Sequence, residues 1–252
     1  MEEAKHYTSN FFEGHGSGAF TSAGIVLPIV NGFFHPDSVI DIGCGVGNWL
    51  KVWNKEIGVE DYFGVEGPYI TKDLLQIPAE KVLLTDLKQN LKIDRRFDLA
   101  MSLEVAEHLP ESSSDHFVDM LTKLSDIILF SASIPGQDGT YHINEQTPEY
   151  WALKFSKKGY VVLDCIRDSI WNNNKVEWWY QQNIFVFIKS ELLANYPELI
   201  KFKKSMPGDE LLRIHPWIYF YNVQQYTKTK TLLGFIKWKL YPVKAFIKRI
   251  FK

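Results

Sequence analysis

Residues Ser38 to Leu50 constrain this chain more than any other stretch. Val39, Ile40 and Ile42 form a short β-branched run that reads as a buried strand. Glycines follow at alternate positions, Gly43, Gly45 and Gly47, with Cys44 between the first two. A helical pattern begins at Asn48, carrying Trp49, Leu50 and Trp53 on one side. Strand, glycine turn and helix bring backbone N–H groups and a helix start up to a nucleotide-like ligand. Glycine suits the turn because a Cβ would obstruct that approach and because such turns call for positive φ.

The spacing narrows the ligand. A dinucleotide fingerprint would read G-x-G-x-x-G, whereas position 48 is Asn and the pattern is G-x-G-x-G. Asp41 precedes the first glycine, where it would meet an ammonium group and repel a pyrophosphate. A ligand with an amino-acid end and a nucleoside end fits these residues. The segment resembles motif I of class I S-adenosylmethionine (SAM) methyltransferases. That resemblance implies SAM as cofactor and S-adenosylhomocysteine (SAH) as product, held by Asp41, Gly43, Cys44, Gly45, Gly47 and Trp49.

Further strands follow. Asp61 to Gly67 reads as a second strand ending in an acid, and Glu66 lies 23 residues after Gly43. That is near the roughly 20-residue offset of a carboxylate that accepts ribose hydroxyls. A helix is expected after Gly67-Pro68, through Ile70, Leu74 and Leu75. Lys81 to Leu87 reads as a third strand; by the resemblance, Asp86 accepts from the adenine amino group and Leu87 offers a backbone N–H and an apolar face. Phe97 to Pro110 holds a fourth strand, with Ser102, Glu104, Glu107 and His108 clustered at and beyond its end. This resembles the S-x-E-V-x-E-H-L segment of SAM methyltransferases, which lies beside the reactive methyl. Ser102 and Glu104 then face the cofactor, or Glu104 the acceptor. His108 reads either as a proton acceptor or as a histidine hydrogen-bonded under the turn. The spacing 104, 107, 108 matches no metal motif, so no metal is expected.

A helix from Ser112–Ser114 and a fifth strand over 126–134 lead to the polar loop Gly136–Pro148. The loop resembles a P-G-Q-x-G-x-x-H-x-N-E-Q-x-P-x-Y-W segment of bacterial methyltransferases associated with surface-polysaccharide synthesis. His142 is the candidate general base, since free imidazole titrates near working pH. Asn144, Glu145 and Gln146 are expected to orient it or bind the acceptor. Residues 160–166 and 183–189 read as the last two strands. The insert between them carries Trp171, Trp178, Trp179 and Tyr180, of which Trp171 and Tyr180 are candidates for stacking on a sugar.

Alternating strands and helices imply an α/β fold, a Rossmann-like, doubly wound, mostly parallel seven-stranded sheet with helices on both faces. Residues 1–190 form the expected methyltransferase domain, with 1–34 as an N-terminal cap segment in which Ser22 caps a helix interrupted by Pro28. Residues 191–252 form a C-terminal extension. After Glu210 there is no acid, and nine basic residues leave −11 on residues 1–210. The segment 231–252 patterns as a basic amphipathic helix, expected to make peripheral contact with anionic lipid. An acidic body without a reading motif points away from nucleic acid. Two cysteines give no disulfide framework, and neither a signal peptide nor an apolar run of membrane-spanning length is seen, so a cytoplasmic protein is expected, at most peripheral at the inner membrane face. The resemblance implies methyl transfer to a small polar acceptor: O-methylation of a sugar or of a capsule or lipopolysaccharide precursor, with a phosphate or phosphoramidate precursor or an amino sugar as alternatives. A nicotinamide oxidoreductase and a catalytically silent SAM-binding scaffold are the competing classes.

Overall fold

Strand β1, Ser38–Ile42, has no polar face. Val39 packs into one apolar cluster while Ile40 and Ile42 pack into another. The same split recurs in β4, Leu99–Leu103, where Leu99 and Met101 face one side and Ala100 the other. Strands buried on both faces belong inside a parallel sheet covered by helices on each side. The computed structural model, which describes residues 9–229 except Asn90, has this architecture.

The remaining strands are β2 (Asp61–Glu66), β3 (Val82–Leu84), β5 (Ile127–Ser131), β6 (Tyr160–Leu163), β7 (Phe185–Lys189) and β8 (Lys203–Lys204). Their order across the sheet is β3-β2-β1-β4-β5-β7-β6-β8. Strands β1 to β5 pair in parallel, and β7 enters antiparallel between β5 and β6. The two-residue β8 adds an eighth strand to the seven expected, pairing antiparallel with β6.

Helices α1 (Ser9–Phe34) and α2 (Asn48–Val52) contribute to the first cluster, and α3 (Ser114–Leu124) and α4 (Pro148–Ser156) to the second. By length and apolarity alone, Ser17–Phe34 of α1 would suffice to cross a membrane, a run the sequence reading overlooked. Its Ala23, Val26, Leu27 and Val30 are at 0% exposure and pack into the first cluster, while 28% of that stretch is buried in all. Two other expectations are corrected here. Ser22 is not a cap: α1 begins at Ser9 and contains Pro28, and the Ser22 hydroxyl accepts the Glu177 N–H. After Gly67-Pro68 there is only a 3-10 turn, Lys72–Leu74, because Pro68 and Pro78 leave just nine residues between them, which otherwise run as loop.

The crossover between β6 and β7 holds α5 (Arg167–Ile170) and α6 (Trp178–Asn183). Arg167, 1% exposed, is a tie point there. Its guanidinium forks onto both oxygens of Asp164 at 2.8 and 2.6 Å, donates to the carbonyls of Gln182 and Leu211, and stacks on Phe185. Glu149 holds the same segment, accepting the N–H groups of Leu211 and Leu212. One compact unit runs to Arg213. A second unit, 214–252, contains α7 (Pro216–Thr229), in which Trp217 stacks on Tyr221 at 5.1 Å. The expected tail helix at 231–252 lies outside the described residues.

Removing one partner of a buried ion pair leaves the other uncompensated, at a cost of about 3–5 kcal/mol. Arg167→Met should therefore lower unfolding stability by about that amount, read from urea denaturation. A loss below about 1 kcal/mol would show that the network is not holding α5 and α6.

Candidate active site

Strands β1 to β5 run parallel, so their C-terminal ends lie along one edge, where ligands of such sheets bind. Asp41, Glu66, Glu104 and the loop after β5 meet there, and Asp86 follows β3 on the same side.

The glycine turn is shaped by its neighbours. Gly43 and Gly47 have φ of 82° and 89°. A Cβ on Gly43 would run into Val105, just past the end of β4, and one on Gly47 into Ile77. The Cys44 side chain is buried and fills the space beside Gly64 on β2. The turn is thus pressed between the tip of β4 and the segment after β2.

Glu66 is buried at the end of β2. Its carboxylate accepts the N–H groups of Gly45 and Gly67 and the Tyr69 hydroxyl, each at 2.6 Å. Burial raises its pKa, and those three hydrogen bonds oppose the rise. An ionised carboxylate offers about four acceptor sites, so a position remains for a ribose hydroxyl, and the Tyr69 hydroxyl is exchangeable. Asp41 is fully buried one strand away, with no partner for Oδ1. Burial, followed by the charge of Glu66, pushes its carboxyl up to about 8. Trp49, at the start of α2, is buried, with its indole against the Tyr180 side chain. Asp86 is partly exposed; its Oδ1 accepts the Lys88 N–H at 3.0 Å, and Leu87 beside it is buried. Ser102 is fully buried and its hydroxyl has no partner. An orphaned buried acid for an ammonium group, a glycine turn without Cβ atoms and a buried carboxylate for hydroxyls together fit SAM.

The neighbouring half of the site is a polar cluster. Glu104 sits at the tip of β4 with φ of 55°, a strained backbone held by its N–H bonding to the Ser131 carbonyl and hydroxyl. Its carboxylate accepts from Gln137 Nε2 at 3.0 Å and Asn183 Nδ2 at 3.2 Å. Burial raises its pKa, against the pull of Asn183, Ser131 and Gln137. Glu107 is at 0% exposure, and neither of its oxygens has a hydrogen-bond partner. Burial, then the nearby Glu104, pushes its carboxyl well above the usual range. The Glu107 backbone carbonyl accepts the N–H groups of both Ile143 and Asn144 at 3.0 Å, which draws the 136–147 loop onto β4.

That clamp brings the His142 ring to 4.9 Å from His108, edge to face. His142 Nδ1 lies 3.0 Å from Glu145 Oε1. Burial raises the Glu145 carboxyl, but His142, the Gly136 N–H and Ser133 outweigh it and hold it below the ordinary value. His108 is pushed down to about 4, by burial first and His142 second, so its ring is neutral. Its Nδ1 lies 3.4 Å from the Tyr141 carbonyl.

Several expected residues have other work. Asn144 is buried, donating to the Ala106 carbonyl and the Ser114 hydroxyl, and its Oδ1 accepts Gln146 Nε2 at 2.9 Å. Both therefore latch the loop. Tyr180 is buried at 5.0 Å from the Trp49 ring, near Asp41 and Glu104, and presents no exposed stacking face. Trp171 lies under the Arg213 guanidinium, 4.3 Å away. Gln137 and Asn183 were missed because they reach Glu104 across 33 and 79 positions; Tyr69 was missed although it lies three residues after Glu66. The Gln137 position within the P-G-Q loop segment was the available signal.

A family model described as a methyltransferase domain matches residues 23–191, and the chain belongs to that family. It is a SAM-dependent methyltransferase, with S-adenosyl-L-methionine as cofactor. Among solved structures it is similar to the plantazolicin methyltransferase BpumL in complex with a monoazolic desmethylPZN analog and SAH, at 18% identity and TM-score 0.52 over 72% of this chain and 88% of that one. DesVI of Streptomyces venezuelae aligns at 14% identity and TM-score 0.50, over 75% of this chain and 98% of that one. The methyltransferase in complex with the Trm112 activator of Haloferax volcanii aligns at 15% and 0.51, over 72% and 94%. At these identities the likeness is one of fold. No curated protein matches the chain.

Asp41 offers a test with a definite sign. Its folded pKa, about 8, lies above an unfolded value near 3.8, so ionisation opposes folding. The neutral form's contribution is whole below about pH 4 and is lost as pH rises through 8. Asp41→Asn should therefore raise the Tm of the cofactor-free protein progressively from pH 5 to pH 8. The same variant should weaken SAM binding at least tenfold, and wild-type binding near pH 7 should release protons, read by calorimetry in buffers of different ionisation enthalpy. A Tm difference independent of pH would show Asp41 to be ionised in the cofactor-free fold.

Proposed function

We propose that this methyltransferase methylates a hydroxyl of a small polar acceptor, a sugar or a capsule or lipopolysaccharide precursor. The observation that carries the reading is the cluster of Glu104, Glu107, His108 and His142 at the tip of β4, beside the glycine turn. A hydroxyl is a poor nucleophile until its proton is taken up, and these groups are of the kind that handle one. SAM, when bound, supplies an electrophilic methyl group and a neutral thioether leaving group. The protein's contribution is to position the acceptor, exclude water and activate its oxygen.

Glu145 accepts from His142 Nδ1, which leaves the lone pair of that ring on Nε2 for activating the acceptor. Glu104, braced by Gln137 and Asn183, is suited to accept a second hydroxyl and fix the orientation. The acidic character of the cluster favours a neutral hydroxyl over a phosphate or phosphoramidate, since an anion would face Glu104 and the ionised Glu145. An amino sugar is the reading that the same carboxylates would favour next.

We also propose a cytoplasmic enzyme that meets anionic lipid through 231–252. The support is the charge pattern of the tail, at about 1 kcal/mol per basic residue near such a surface.

With labelled SAM and a panel of sugars and nucleotide sugars, the wild type should transfer methyl to at least one hydroxyl acceptor. His142→Ala should reduce that transfer by about 10²-fold or more while SAM affinity stays within about twofold. Transfer to phosphate compounds alone would refute the sugar reading, and SAM binding with no transfer to any acceptor would point to a scaffold.

A further inference from the structure

Glu107 is the most weakly supported acid of the cluster. Its carboxyl is fully buried, and only the backbone N–H groups of Ser133 and Glu107 lie close to it, neither in full hydrogen-bonding geometry. Buried carboxyls in that condition are rare unless something else coordinates them.

What lies opposite is a pair of imidazoles. Glu107, His108 and His142 each present one ligand atom, and the three atoms lie within 4.8 Å of one another. Donors about 2.1 Å from a shared ion are at most about 4.2 Å apart, so closing over an ion takes only small side-chain movements. Both rings also carry the supports that ligating histidines have. His142 Nδ1 is held by the Glu145 carboxylate and His108 Nδ1 faces the Tyr141 carbonyl. For His142 the N–H then belongs on Nδ1 and the lone pair on Nε2, while the His108 ring also meets the Glu104 carbonyl. Sequence spacing concealed the set, because His142 is 34 positions from His108 and arrives only through the loop clamp on the Glu107 carbonyl.

We propose that Glu107, His108 and His142 form a binding site for a divalent first-row cation. Two imidazole nitrogens and one carboxylate suit Mn²⁺, Co²⁺ or Zn²⁺ better than Mg²⁺ or Ca²⁺, which favour oxygen donors. The ion would hold the acceptor hydroxyl in an open coordination position and acidify it, the hydroxyl proton passing to the Glu104 carboxylate as the oxygen takes the methyl group, so the His142 lone pair serves the metal rather than the proton. Glu104, close to Glu107, would share in balancing the added charge. This role for the ion rests on the acceptor-side reading of the cluster given above; the metal site itself does not.

The test is binding first and activity second. Full-length protein freed of metal with EDTA is titrated with Mn²⁺ at fixed pH, and free Mn²⁺ is followed by electron paramagnetic resonance. One saturable ion per chain is expected. Affinity should fall at least about tenfold in Glu107→Gln and His142→Gln, and about 10- to 100-fold in Glu145→Gln, which touches the ion only through His142. SAH binding and thermal melts show which variants are folded; should Glu107→Gln not fold, the two loop variants decide. Absence of one-to-one binding in the wild type, or unchanged binding in the folded variants, overturns the site. One ion per chain without methyl transfer to any acceptor supports the site and removes the proposed function. Undiminished transfer in EDTA with no ion bound does the reverse and leaves His142 as the base.

Discussion

Four carboxyls, those of Asp41, Glu66, Glu104 and Glu107, are desolvated along one edge of the sheet, and the rest of the molecule is arranged to tolerate this. Each is raised by burial, and Asp41 and Glu107 are raised further by a carboxylate neighbour. Such a concentration of buried acid opposes folding unless it is protonated, hydrogen-bonded or met by cations. The structure uses the first two: Glu66 is wrapped in three donors and Glu104 in amides, while Asp41 is held neutral. A cationic cofactor with an ammonium and a sulfonium is the third, which is why ligand binding and stability are coupled at this edge.

The second constraint is the clamp at Glu107. One backbone carbonyl accepting two N–H groups, with Asn144 pinned to Ala106 and Ser114, holds a loop that has no regular structure of its own. Its consequence is chemical. Without it Glu145 and His142 would be an ordinary i, i+3 pair on a loop; with it they stand against His108 and Glu107. Residues expected to touch the acceptor, Asn144 and Gln146, instead keep the loop in place.

Further from the chemistry, Arg167 and Glu149 carry the same logic outward. Arg167 ties Leu211 to the crossover that holds Gln182 and Asn183, Glu149 ties 211–212 to α4, and Asn183 braces Glu104. The chain of contacts from a buried guanidinium to an active-site carboxylate is short.

The sequence by itself determined the order of strands along the chain, the glycine turn and the acids at the strand tips, because those follow from local rules. Burial on both faces makes β1 and β4 central strands, and glycine is required where Val105 and Ile77 press on the turn. Tertiary structure alone decided which polar residues share a site. Glu104 meets Asn183 across 79 positions and Glu107 meets His142 across a loop. Tyr180, an apparent surface aromatic, was drawn inside by Trp49. Hydrogen bonds and desolvation act through space, and no periodicity in the chain records them.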